Sequence, residues 1–207
     1  MRTRGIKSVP VAFVGDQTII GFDPTRLFGL LGLPHSGGKG NRTWLADRYD
    51  RILGMTVATT RQLSEKQLDE VIPQRRSTLR AHLLHIHRAV ELAEQSHVTG
   101  HFSITDLGNA SASEDIVTMA QVSARGQQVR ASVTTFLRKA PETHLARVVD
   151  SYYGGEVPVL EVLHIILGHS AHHLKQAQWF LGQIGVGVKD PVTAKDMEGV
   201  ITPAELF

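Results

Sequence analysis

A chain of 207 residues, 42% hydrophobic and 20% charged, has the length for one bundle-sized domain with a smaller appendage, and enough apolar side chains to fill a core. Its 22 Lys+Arg and 20 Asp+Glu leave a formal charge of only +2, and the basic residues are scattered rather than clustered, which argues against nucleic acid as the main partner. No apolar run reaches the roughly eighteen residues of a membrane span, and Met1-Arg2-Thr3-Arg4 leads into a strand-like segment, so a cytoplasmic protein with no membrane partner is expected. Cysteine is absent, which excludes disulfides, thiolate ligands and a cysteine nucleophile; any thiol chemistry needs the sulfur of another molecule.

The first expected elements are two short strands, Val9 to Val14 and Thr18 to Phe22, separated by a turn at Gly15-Asp16. Asp23-Pro24 then suits a helix start, with Asp as N-cap and Pro in the first helical position, and Gly32 supplies a stop. Residues 1–34 therefore read as a ββα unit. Residues 35–42 are a linker, glycine-rich and polar from His35 to Asn41. Residues 43–186 carry four helical patterns. They run from Trp44 to about Leu63, from Gln74 to Ser96 after Pro73, from the capping-box pattern Ser111-Ala112-Ser113-Glu114 to about Lys139, and from about Pro158 to Gln183. Long helices joined by loops predict a mainly α fold, an antiparallel four-helix bundle preceded by the ββα unit. The connection from His97 to Ala110 is long enough to be functional, and residues 187–207 read as an irregular tail.

Histidine is the unusual component, at eleven residues. In the fourth helix Val162, Ile166, His169, His173, Gln176 and Phe180 follow the spacing of a buried stripe, so His169 and His173 place two imidazoles one turn apart on the core face. A lone helical histidine is usually a satisfied core or surface side chain. Burying a pair costs free energy unless the ring nitrogens find partners, and one metal ion satisfies both. Gln176 continues the polar patch. In the second helix Leu79, Leu83, Ile86, Val90 and Ala93 define the apolar stripe, with His82, His85 and His87 around it. His82 lies nearest the stripe centre by angle, and periodicity alone does not select a third ligand. His35, His97, His101, His144, His164 and His172 are expected on the surface or in loops.

The run Thr78-Leu79-Arg80-Ala81-His82-Leu83-Leu84-His85-Ile86 resembles the second-helix motif of the DinB-like superfamily, and His169-Ser170-Ala171-His172-His173-Leu174-Lys175-Gln176 is similar to its fourth-helix motif. The resemblance spans about Trp44 to Ile184. It implies a four-helix bundle holding a divalent ion, zinc or nickel, on His85, His169 and His173, with His82 and Gln176 as supporting residues. Thus it selects His85 where the helical wheel does not. Members of known activity are thiol-dependent transferases and isomerases using low-molecular-weight thiols such as mycothiol or bacillithiol.

The segment Gly5 to Asp16, continuing through Ile20-Gly21-Phe22-Asp23, resembles the second half of a glutaredoxin, with Pro10 matching the cis-proline of a Val-Pro step. That likeness implies a thiol-peptide surface at Val9, Pro10, Gly21 and Asp23, although the first half of that fold and its cysteine motif are missing. Two strands and a helix bury little by themselves, so packing on the bundle or pairing in a homodimer is expected.

Together these readings predict a metal-dependent enzyme acting on a small molecule with a low-molecular-weight thiol as cosubstrate. The alternatives are a non-catalytic metal-binding or oligomerisation protein, and a thiol- or peptide-binding module. A catalytic site further predicts an accessible cavity with added polar groups, for which His101, Thr105 and Asp106 on the long connection are candidates.

Overall fold

The N-terminal strands β1 (Val11–Val14) and β2 (Gln17–Ile20) pair antiparallel through the expected turn, where Gly15 takes φ +57°. In this computed structural model residues 11–20, 27, 29–32, 42–109, 115–152 and 155–207 are described. Leu27, Gly29 and Leu30 are helical, and Gly32 at φ +63° ends the turn in the left-handed conformation that glycine adopts without a Cβ clash. Val9, Pro10, Gly21 and Asp23, the residues of the expected thiol surface, lie outside the described residues.

The chain then forms α1 (Arg42–Arg61), the single turn α2 (Glu65–Leu68), the hairpin strands β3 (Val71–Ile72) and β4 (Ser77–Thr78), and α3 (Leu79–Thr99). β5 (His101–Phe102), α4 (Ile104–Asn109), α5 (Met119–Lys139) and α6 (Glu142–Leu145) follow. β6 (Val148–Ser151), β7 (Gly155–Pro158) and α7 (Val159–Gln183) complete the secondary structure. No helix among the described residues is long and apolar enough to cross a membrane.

Two helix starts differ from expectation. Residues 74–78 are not the first turn of α3: Val71 and Ile72 pair with Thr78 and Ser77, and Arg76, at φ +52°, has a backbone that no α-helix accepts. Pro73 thus belongs to a tight hairpin loop, and Thr78 caps α3 by accepting from Ala81 N–H. The third long helix starts at Met119 under a different capping box, Thr118 with Gln121, while residues 115–118 are non-helical and 111–114 lie outside the described residues. The Glu65 carboxylate accepts from Met119 N–H at 3.0 Å, satisfying a helix-terminal donor from across the bundle.

Cross-helix contacts give the directions of the long helices. Arg42 donates to Ala140 O at 2.7 Å, Arg130 to Asp50 at 2.9 Å and Arg61 to Ser123 at 2.8 Å, so α1 and α5 run antiparallel. His82 and His85 of α3 meet His173 and His169 of α7 in reverse order, so that pair is antiparallel too. In contrast, Ser132 donates to Glu94 at 2.8 Å and the His97 and Phe136 rings lie 4.6 Å apart, which makes α3 and α5 parallel. Tyr49 donates to Leu163 O at 2.6 Å and Gln178 to Thr59 at 3.2 Å, making α1 and α7 parallel. The bundle is therefore up-down-down-up, and the expected antiparallel arrangement holds for two of its four neighbouring pairs. The stripe Leu79, Leu83, Ile86, Val90 and Ala93 is fully buried, as its spacing predicts.

A small sheet, with β5 parallel to β6 and β6 antiparallel to β7, closes the end of the bundle where α3 and α5 finish. Residues 187–207 carry no helix or strand, yet they lie along the bundle. Val188, Val192, Met197 and Val200 pack on its core, and Gln178 binds both Asp190 O and Val192 N–H.

Candidate metal centre

The Thr78 cap phases α3 so that His82 and His85 both face α7, where His169 and His173 sit one turn apart. The Nε2 atoms of His85 and His169 are 3.1 Å apart, and those of His169 and His173 are 3.0 Å apart. His173 is buried and the other two rings partly so. His85, His169 and His173 are thus gathered with one ligand atom of each within 4.8 Å of the others.

Tautomer and charge follow from the surroundings. His173 Nδ1–H donates to Gln176 Oε1 at 2.6 Å, which leaves Nε2 as a lone pair facing the cluster. Gln176 is itself buried, and its amide NH₂ donates to Leu206 O and to His172 Nε2, so its oxygen is turned toward His173. Burial, reinforced by the Arg75 charge, lowers the pKa of His85 to about 4, and burial with neighbouring imidazoles holds His169 and His173 well below the ordinary value. Three neutral imidazoles converge on one point. Edges of about 3.3 Å separate the nitrogens of a tetrahedral site with Zn–N bonds of about 2.0–2.1 Å, so the observed spacing fits a divalent ion.

His82 has another task. Its Nε2–H donates to the backbone carbonyl of His173 at 2.9 Å, so that nitrogen carries no free lone pair, and burial lowers its pKa to about 4. His82 ties α3 to the histidine-bearing turn of α7, and His85 faces the cluster. Of the two, His85 joins His169 and His173 in the cluster, and His82 does not.

Above the imidazoles a cleft of about 250 Å³ is lined by Gln74, Arg75, Ser77, Ala81, His82 and His85. The Arg75 guanidinium reaches in from the β3–β4 loop, with Nη2 donating to His173 Nε2 at 3.3 Å. Residues 48–177, more than half of the chain, match the family model described as the DinB superfamily.

The chain belongs to the DinB superfamily.

Among solved structures, this DinB protein is similar to YfiT from Bacillus subtilis, described as a probable metal-dependent hydrolase with an unusual four-helix bundle topology. The likeness has a TM-score of 0.60 at 15% identity and covers 82% of this chain and 97% of YfiT, which speaks for a shared fold. No curated protein matches the sequence.

Other expected site residues fall elsewhere in the DinB bundle. His101, Thr105 and Asp106 follow the C-terminus of α3, and His85 lies in its second turn, which separates them by on the order of 20 Å of helix. His101 instead meets Asp106 at 3.3 Å on the surface. The loop that reaches the cluster is 73–76, and Arg75 is the residue that periodicity missed, because Pro73 followed by polar residues reads equally well as a helix start. His172 and His164, expected at the surface, are both partly buried: His172 beside Gln176, and His164 stacked on Trp44 with centroids 6.0 Å apart.

Proposed function

We propose that this DinB protein is a divalent-metal-dependent enzyme in which His85, His169 and His173 hold the ion, zinc or nickel, through their Nε2 atoms. The convergence of three neutral imidazoles beneath an open cleft carries the reading, because a purely structural site would close its coordination shell with protein. A bound ion would supply Lewis acidity, polarising a substrate oxygen and acidifying a water or thiol. The chain's own residues do the positioning. Gln176 keeps His173 in the tautomer that presents Nε2, His82 anchors the turn of α7 beneath it, and Arg75 sets the polarity of the entrance.

The nucleophile is read as a low-molecular-weight thiol, and the reaction as a transfer or isomerisation of a small molecule. Two sequence resemblances support this: that of the bundle to thiol-using DinB-like enzymes, and that of the N-terminal unit to a glutaredoxin, with Val9, Pro10, Gly21 and Asp23 as its thiol-binding residues. The cysteine-free chain requires the thiol to come from outside. Homodimerisation through the same unit is supported by Phe13, Leu30 and Leu31, which expose large apolar side chains. The description of YfiT favours a second reading, hydrolysis, with water in place of the thiol.

Metal analysis of untagged protein purified without chelator tests the first step. One equivalent is expected in the wild type, with loss on His85→Ala and retention on His82→Ala; the reverse pattern would overturn the ligand assignment. A thermal-shift screen against glutathione, mycothiol and bacillithiol tests the second, and no shift with any of them would leave hydrolysis as the better reading.

A further inference from the structure

Arg75 lacks the carboxylate partner that other arginines of this chain have. Arg51, Arg125 and Arg130 each meet carboxylates within salt-bridge range, whereas among the described residues none lies within 4.0 Å of Arg75. Burial of the charged end lowers its pKa, with no anion nearby to compensate. The β3–β4 loop nevertheless holds it in place: Ile72 O accepts from both Arg75 N at 3.1 Å and Arg76 N at 2.9 Å, and Arg76 adopts φ +52° to close the turn. A left-handed non-glycine residue is unfavourable, and the hairpin sustains it while the Arg75 side chain turns toward the imidazoles.

Among the described residues the one acceptor that the Arg75 side chain meets is His173 Nε2, the lone pair that a bound cation would require. An ion held by the three histidines would take that lone pair from Arg75 and place a second positive charge beside it. Neutral Gln74, Ser77 and Ala81 line the rest of the cleft, and among the described residues no carboxylate does. An oxyanion would answer both charges, sharing its oxygens between the ion and the planar donor fork of the guanidinium, a geometry that a single sulfur or hydroxide does not match. The 250 Å³ of the cleft suits a small molecule of this kind. We infer that the substrate of this site carries a carboxylate or phosphate-type group, bound between Arg75 and the metal, and that Arg75 determines this specificity. This rests on the metal reading proposed above.

The test uses the full chain loaded with cobalt(II), its metal content measured first for each variant, and follows the visible absorption of the ion during titration with acetate, inorganic phosphate or neutral acetamide. In the wild type acetate or phosphate is expected to perturb the spectrum at far lower concentration than acetamide; which anion binds more tightly distinguishes a carboxylate from a phosphoryl substrate. Arg75→Ala should keep its full complement of cobalt and bind the anion about tenfold or more weakly, with Arg75→Lys recovering part of the loss. Equal anion affinities in cobalt-loaded wild type and Arg75→Ala, or acetamide binding as tightly as acetate, would overturn the inference and leave the metal site standing. A wild-type chain that takes up no cobalt, zinc or nickel would instead overturn the metal reading, and the inference with it.

Discussion

Gln176 shows how much one buried amide decides. Its NH₂ group is committed to Leu206 O and His172, so its oxygen must accept from His173 Nδ1, and His173 then has a free Nε2. Gln176→Leu keeps the volume and removes that control; metal affinity is expected to fall about 10- to 100-fold, read by competition with a chromophoric chelator while the circular dichroism is unchanged. An unaltered affinity would show that packing alone sets the ring. The position of Gln176 on the core stripe is legible in the sequence, because the stripe is a property of one helix. Periodicity does not separate the roles of His82 and His85, since a helical wheel gives angles about one axis; the motif resemblance points to His85, and the atoms of α7 that each ring meets supply the physical reason.

At the scale of elements, the C-terminal segment makes closer contacts than its irregular composition suggests. A Cβ added at Gly168 would lie 2.1 Å from Ile201 O, so the absence of a side chain on α7 is what lets this segment in. Gly168→Ala is expected to cost about 1–3 kcal/mol and to open residues 187–207 to limited proteolysis; a stable, equally resistant variant would contradict this. Arg51 and Thr193 hold the Asp196 carboxyl well below the usual range. A lowered carboxylate pKa contributes stability at pH above the unfolded value of about 3.9, and that contribution is lost as pH falls through the native value. The segment should accordingly stay docked from neutral pH to about 4 and loosen only below it. Trp44 and Trp179, which touch Gly199 and Phe207, report this through fluorescence, and Asp196→Asn should weaken docking already at neutral pH. The hairpin before α3 escaped sequence reading for a local reason: two-residue strands have no periodicity to detect, and only the pairing of Ile72 with Ser77 reveals them.

For the whole molecule, the site lies where α3 and α7 cross the bundle in opposite directions, and an ion held by His85, His169 and His173 would link those two helices. Added zinc or nickel is expected to stabilise the fold by about 2.7 kcal/mol at one hundred times its dissociation constant, seen as a rise in Tm that chelator reverses and that His85→Ala lacks. A Tm indifferent to metal in the wild type would count against the site. The up-down-down-up order also explains the long connection after α3. Because α5 runs parallel to α3, the end of α3 at Thr99 and the start of α5 at Met119 lie at opposite ends of the bundle.

By itself, the sequence determined the four long helices, the buried stripes of the second and fourth, and the pair His169 and His173, because each is a repeat along one helix and needs no neighbour to be recognised. Tertiary structure alone decided that α1 packs antiparallel on α5 and parallel to α7, that His82 secures the His173 carbonyl, and that Arg75 overhangs the cleft. An amphipathic stripe states that a helix has a buried face. Which surface it is buried against depends on contacts between residues far apart in the chain, and no periodicity within one segment encodes them.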